Sequence, residues 1–566
     1  MSRITFKRSI LASAVLLATQ THAALYNVIE VTPDTSLNYG SAWGVAIQPS
    51  DVTVAAESCF TLDSVGGIDC STFALAGETR IEKASAGKAV DGLSYRDEVA
   101  FGIDNAFIYI KDWDDFESYC YNQLGYAICE TWVAPYWNRW ADEINGRQLT
   151  NSIAFVGTGT SAASVDETKN IVINSLTGAT IADVVGISVE TGNVTAYRRD
   201  SINAHLPANI SAPNLDGALY TRAWKTDGTY TVGSVSRAAN NDEGDFFTSK
   251  AAIWKNNDGT PVELSWGENV GAKHNNRLSQ GSLRDLISDG TQIYAVGYNT
   301  YDNDHSYMQA SIFQLDANLG SSKTTVVSGT TAEIGDDYVH SNSVVTDVNK
   351  NLLALGEAKR AGSRPENGAA ANRLFVVNDV SAATPTATFL TGGIFFTGAG
   401  GKAGAINNYN EIVGQIDAEN TRETDGKPRR KRGFIYPHSA NGSDQSRMAI
   451  FSNKAWWLDD LTNDGSVTGI NNQFRIIDAA DINDAGVIAA TALKCEGGYD
   501  TTAHNALCGG GDRDETVVAV KLIPISNVTS SDIQQRITEQ QVSERKGAGL
   551  GFGLLLVLGW LGLRRK

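Results

Sequence analysis

Between about Gly186 and Lys521 the chain repeats one order of apolar and polar positions: a short apolar strand, an Asn/Asp/Gly turn, a second strand ending in Val-Gly or its equivalent, a polar loop, then an aromatic or aliphatic pair. The copies are Thr231-Val232-Gly233, Ala295-Val296-Gly297, Ala354-Leu355-Gly356 and Ile412-Val413-Gly414, with a degenerate fifth at Ile488-Ala489-Ala490. Aligned on this glycine, with Gly186 ahead of them, the spacings are 47, 64, 59, 58 and 76 residues. The smallest is near the roughly 40–50 residues of one four-stranded propeller blade, and the longer ones leave room for loop insertions. Asp227-Gly228, Asp289-Gly290 and Asp484-Ala485-Gly486 supply the turn chemistry of hairpins. Pairs such as Ile253-Trp254 and Ile312-Phe313 read as strands returning to the core. Fainter units at Trp43-Gly44-Val45-Ala46 and Phe101-Gly102-Ile103 bring the number to about seven or eight. The pattern therefore predicts an all-β fold, a β-propeller-like repeat of about seven or eight blades over residues 24–525, with a pair of β-sandwiches as the competing architecture. Two stretches depart from it. Residues 111–149, with Trp113, Trp132, Trp137 and Trp140, predict a small helical insert, and residues 526–546 read as a polar linker or short exposed helix.

Composition supports a folded, turn-rich chain: 566 residues, 42% hydrophobic, with 55 glycines. Arg3, Lys7 and Arg8, an apolar run from Ser9 to Thr19, and Thr21-His22-Ala23-Ala24 have the layout of a secretory signal peptide over residues 1–23. At the other end, residues 547–566 hold an apolar stretch from Gly547 to Leu563 and then Arg564-Arg565-Lys566. That predicts a C-terminal hydrophobic helix, near the lower length limit for spanning a bilayer, acting as an anchor or a sorting signal. Without these two basic ends the formal charge moves from −18 to −24, which disfavours nucleic acid and anionic lipid as partners of the body. The six cysteines form three local pairs, Cys59 with Cys70, Cys120 with Cys129, and Cys495 with Cys508. In an exported chain such pairs point to disulfides, and no spacing is Cys-x-x-Cys.

Three resemblances follow from particular strings. Ile406-Asn407-Asn408-Tyr409-Asn410-Glu411-Ile412-Val413-Gly414 resembles the HAF-type repeat of exported bacterial proteins, roughly Ile-Asn-x-x-Gly-x-Val-Val-Gly, with Asn410 in place of the usual glycine. Asp481-Ile482-Asn483-Asp484-Ala485-Gly486-Val487-Ile488-Ala489 matches its first part. Gly547, Ala548 and Gly549 before the apolar tail resemble the GlyGly-type sorting domain of exported proteobacterial proteins, which implies a sorting protease cutting in that region. Nearly the whole chain resembles an uncharacterised exported proteobacterial family, a domain of unknown function with family number 3466. Gly281-Ser282-Leu283-Arg284-Asp285, Gly362-Ser363-Arg364-Pro365-Glu366-Asn367-Gly368 and Phe395-Phe396-Thr397-Gly398-Ala399-Gly400-Gly401 are among the strings that carry it. The family implies no activity.

The chemistry legible in single residues is sparse. Gly157-Thr158-Gly159 lacks the strand-helix context of a dinucleotide fingerprint. The histidines form no His-x-x-x-His pair, and no Gly-x-Ser-x-Gly elbow is present. Acidic loops place Asp242 and Asp245, Asp302 and Asp304, and Asp512 and Asp514 as candidate calcium ligands, although none has EF-hand spacing. Asp114-Asp115 and Asp459-Asp460 are adjacent carboxylates, which on a strand point to opposite faces and so form no acid/base couple. Arg429-Arg430-Lys431-Arg432 suits a phosphate or acidic polysaccharide, or else pairs with acidic loops of neighbouring blades. No catalytic residue and no cofactor other than calcium is assigned. The expectation is an exported, surface- or envelope-associated binding or structural protein with a glycan, peptide or matrix partner; the alternative is a secreted hydrolase or lyase using carboxylates at the propeller channel.

Overall fold

The computed structural model describes residues 24–539 except 51, 82–111, most of 135–151, 179–181, 191–202, 214–219, 243, 302–307, most of 332–342, 360–364, 371 and 427–428. Strands dominate. Four sheets are meanders of four consecutive antiparallel strands, running from Tyr220–Thr226 to Pro261–Glu263, Gly281–Ser288 to Ser322–Val326, Ser343–Val348 to Ala387–Phe389, and Gly401–Ile406 to Trp456–Trp457. In a fifth, Phe474–Ile482, Ile488–Cys495 and Glu515–Pro524 are completed by Tyr26–Glu30 from the other end of the chain. Two further sheets are irregular: three strands over Lys169–His205, and five strands built on Ser41–Ile47 that include a parallel pairing of Thr32–Asp34 with Ser161–Ser164. Neighbouring sheets pack in chain order and the last packs on the first, so the ring closes.

The result is propeller-like, but the expected seven or eight regular units are not met. Among the described residues five sheets are regular four-stranded blades. The unit expected at Phe101-Gly102-Ile103 lies outside the described residues, and the strands Leu75–Arg80 and Ala154–Gly157 pair across the insert that separates them in sequence. Long insertions blur a period that short loops would keep sharp. The insert itself is helical where described: Trp113–Tyr119 is an α-helix that widens into a π turn at Cys120–Leu124 and stops at Gly125, φ 68°. The signal segment, the C-terminal hydrophobic helix and Gly547, Ala548 and Gly549 lie outside the described residues; among those described, no helix is long and apolar enough to cross a membrane. The linker is described as far as residue 539, where it lies against the last sheet, with Arg536 buried.

The core sits between consecutive sheets. Val232, Ile253, Leu283, Ala295 and Phe313 interlock two of them, and Leu355, Val376, Ile412 and Phe434 the next pair but one. Burying each such side chain contributes about 1.5–3 kcal/mol.

The Val-Gly repeat has a mechanical cause. Each inner strand carries a β-bulge, at Val45, Asn174, Trp224, Arg284, Thr346 and within Gly404-Ala405, and the repeat glycine of the second strand pairs with the residue just before it. A Cβ at Gly233 or Gly297 would collide with the carbonyl oxygen of Arg222 or Ser282, so the bulge requires glycine opposite it. In the last sheet, whose inner strand carries two bulges, the position is Ala490.

The Ile-Asn motif has a cause too. Oδ1 of Asn349, Asn407 and Asn483 accepts from its own turn, from the amides of Leu353, Glu411 and Val487. The Nδ2 of each donates to the next blade: Asn349 to Asn407 O (2.8 Å), Asn407 to Asn483 O (3.2 Å) and Asn483 to Gln48 O (2.9 Å). One asparagine thus closes a hairpin and links two blades. Asn410 replaces the usual glycine because its φ of 61° is one that asparagine tolerates.

Candidate functional site: the central channel

A cavity of about 130 Å³ lies where the inner strands converge, reached by Val45, Asn174, Trp224, Arg284, Thr346, Gly404 and Ala480 from seven strands. The bulges aim these residues inward, and the residue after each sits at the seam with the next sheet. At three seams that residue is an aspartate. Asp285 accepts from its neighbour Leu286 N and from Val348 N of the next inner strand (2.8 and 3.0 Å). Asp347 repeats this with Val348 N and Ile406 N (3.0 and 2.8 Å), and Asp481 with Ile482 N and Ile47 N (both 2.9 Å). Each carboxylate uses one oxygen on its own strand and the other on the next blade.

A second layer does the same from the residue after the repeat glycine. Glu357 accepts from Ala403 N (3.1 Å), Gln415 donates to Ile477 O (3.0 Å), and Thr491 accepts from Gly44 N (3.1 Å).

Lys225 holds the same place on its strand. Its ammonium stands 3.9 Å from Asp285 Oδ1 and 3.9 Å from Asp347 Oδ1, and the side chain is 35% exposed to the cavity. Burial would lower its pKa, but Asp285, Asp347, Asp481 and Asp484 outweigh burial and hold it charged. Burial pushes Asp285 well above the usual carboxylate range; Lys225 pulls it down and Asp347 adds to the rise. Burial likewise pushes Asp481 up to about 6, against the pull of Lys225 and of the Ile47 amide. Beside Lys225, the Arg284 guanidinium lies 3.6 Å over the Trp224 ring.

The residues singled out from sequence lie elsewhere. Cys59–Cys70, Cys120–Cys129 and Cys495–Cys508 are disulfides, and no described cysteine is free. Asp242 and Asp245 stand at the tip of the long hairpin Tyr230–Lys255, and Asp512 and Asp514 follow the glycine turn 509–511; Asp302 and Asp304 lie outside the described residues. Among the described residues no group of three or more His, Cys, Asp or Glu is placed to hold a metal.

The basic run pairs with carboxylates, chiefly within its own blade: Arg429 with Asp417 (2.9 Å), Arg430 with Glu419 (3.1 Å), Lys431 with Asp417 (2.5 Å) and Arg432 with Asp459 (2.8 Å). Asp459 and Asp460 are on a short helix, Leu458–Leu461, instead of a strand, and both are buried. His504 lies 3.1 Å from Asp460 and 3.6 Å from Asp459, and Arg536 donates its amide to Asp460 (2.8 Å) and its Nε to Asp459 O (2.7 Å). Burial opposes the Asp459 charge, but Arg432, His504, Arg536 and Arg475 hold its pKa below the usual range.

The channel residues were not found from sequence. Their signal was an aspartate, an aliphatic residue and an asparagine just after the inner strand's bulge, as in Asp347-Val348-Asn349 and Asp481-Ile482-Asn483.

The family model described as "Protein of unknown function (DUF3466)" matches residues 246–566. The chain belongs to this family. No curated protein matches it. Similar solved structures include a protein of unknown function from Dyadobacter fermentans DSM 18053, at 8% identity and TM-score 0.33, covering 88% of this chain and 98% of that one. The α-L-arabinofuranosidase Arb93A from Fusarium graminearum is similar at 9% identity and TM-score 0.31, over 89% and 99%. The β-propeller domain of the trilobed protease from Pyrococcus furiosus is similar at 8% identity and TM-score 0.23, over 60% and 75%. At these scores the architecture rests on the strand pairing described above.

Proposed function

We propose that this member of the family is an exported, envelope- or surface-associated propeller whose role is binding or structural, with a glycan as the favoured partner over a peptide or matrix protein. The observation that favours binding over hydrolysis is how the channel aspartates are used. Asp285, Asp347 and Asp481 each have both oxygens occupied by backbone amides of two blades. A glycosidase needs one carboxyl free to give a proton and another free to take one or attack. Carboxylates that staple blades together are poorly suited to supply that pair.

In this reading the signal segment directs export, and the region Gly547, Ala548 and Gly549 is where a sorting protease releases the protein from its C-terminal helix. Calcium filling the acidic loops would stiffen them as a recognition surface. The elevated pKa values of Asp285 and Asp481 favour the second reading, a secreted hydrolase or lyase acting in the channel. One experiment separates them. The purified mature protein is applied to a glycan array and incubated with the polysaccharides that bind. Retention without new reducing ends or unsaturated products supports a binding protein; product formation abolished by Asp481→Asn would establish the enzyme.

A further inference from the structure

Two lysines at seams between sheets, Lys521 and Lys225, are used in different ways, and the contrast identifies a site. Lys521, fully buried, donates to three backbone carbonyls, Ser71 O (2.6 Å), Phe73 O (2.8 Å) and Thr158 O (2.8 Å). Its three N–H groups are used up by the seam between the last sheet and the first. Lys225 occupies a ring position where three other blades place an aspartate to hold the next blade's amide. A lysine cannot accept that bond. Lys225 therefore does nothing for the seam by hydrogen bonding, and its head group projects into the cavity. Among the described residues no acceptor lies within hydrogen-bonding distance of its Nζ; the nearest carboxylate oxygens are at 3.9 Å. Its N–H donors are thus unused by the described chain at a seam where a cation replaces the aspartate staple, and the side chain lines the cavity.

We propose that the channel cavity is a binding site for an uncharged, hydroxyl-rich ligand of about monosaccharide size, held through its oxygen acceptors on Lys225. The proposal rests on the glycan-binding reading above and narrows it to a terminal or free sugar ring. Charge selects for a neutral ligand. The lining holds five carboxylates, Asp285, Asp347, Glu357, Asp478 and Asp481, against three basic side chains, Lys225, Arg284 and Lys402. An anion approaching Lys225 meets Asp285 and Asp347, and a cation meets Lys225 itself. A polyol is repelled by neither and brings the acceptors the ammonium lacks. Size suits one ring: a cavity of about 130 Å³ has room for a cluster of several waters or one sugar.

The test is saturation-transfer NMR and calorimetry on the mature protein with a panel of neutral monosaccharides, alongside the glycan array. The expected result is one sugar whose affinity falls at least tenfold in Lys225→Met, and also in Lys225→Arg, whose longer planar head keeps the charge but fills the cavity. Lys225→Arg keeps the test decisive should Lys225→Met not fold. A sugar that binds both variants as well as the native protein would overturn the channel site and leave the glycan-binding reading standing. Array binding with no monosaccharide binding would do the same. Binding of no glycan at all would overturn both.

Discussion

Two buried regions of this protein hold polar groups to opposite ends. In the seam around Lys521 and in the cluster of Arg432, Asp459, Asp460, His504 and Arg536, every charge named meets an opposite charge or a carbonyl at bonding distance. In the channel, the three aspartates are similarly held, but Lys225 is balanced only by charge, at 3.9 Å. The difference teaches how to tell a structural polar residue from a recognition residue in a repeat protein. A structural one is enclosed with an opposite charge or a carbonyl at bonding distance; a recognition residue has charge compensation only at longer range, and faces a space.

That comparison can be broken or sharpened by mutation. The largest effect is expected from Asp459→Ala, which leaves Arg432 and His504 without their shared partner in the interior; chemical denaturation should show a loss of about 3–5 kcal/mol. Lys521→Met strips donors from three carbonyls where the last sheet meets the first and should cost about 3 kcal/mol, read by the same method. A loss as small as that of an exposed lysine would mean the seam is not closed by this residue.

The channel aspartates offer a pH test. The folded pKa of Asp481, about 6, lies above its unfolded value, so its protonated form favours folding. The contribution is complete below about pH 4 and is lost as pH rises through 6, amounting to up to about 3 kcal/mol. Stability measured from pH 4 to 7 should carry this slope in the native protein and lack it in Asp481→Asn. A smaller change is expected from Lys225→Arg, under about 1 kcal/mol, because charge compensation is kept. A large loss would place Lys225 among the structural cations. Smallest of all, Asp242→Ala with Asp245→Ala at the exposed hairpin tip should shift stability by less than about 0.5 kcal/mol without calcium. If calcium raises the Tm of the native protein and not of this variant, the hairpin is a calcium site.

Much of the fold was legible because it is local. The strand periodicity, the hairpin turns and the three short disulfide loops each depend on residues within one unit, and Val-Gly marked the second strand of the blades although its cause, the bulge opposite, was hidden. The regular blade number was not legible, since the insert splits the unit around Leu75–Arg80 and Ala154–Gly157. Arg429 to Arg432 read more readily as ion-pair partners than as a binding patch, and placement beside Asp417, Glu419 and Asp459 separates the two.

By itself, then, the sequence determined the strands, their turns and the identity of the short disulfide loops, because hydrophobic period, glycine and asparagine backbone preferences and short loop closure all act over a few residues. The closing of the ring by Tyr26–Glu30 on Glu515–Pro524, and the gathering of Lys225, Asp285, Asp347 and Asp481 around one cavity, were decided by tertiary structure. Residues up to 436 positions apart in the chain, Val45 and Asp481, share that cavity, and no local preference encodes which side chain a closed ring will leave without a bond.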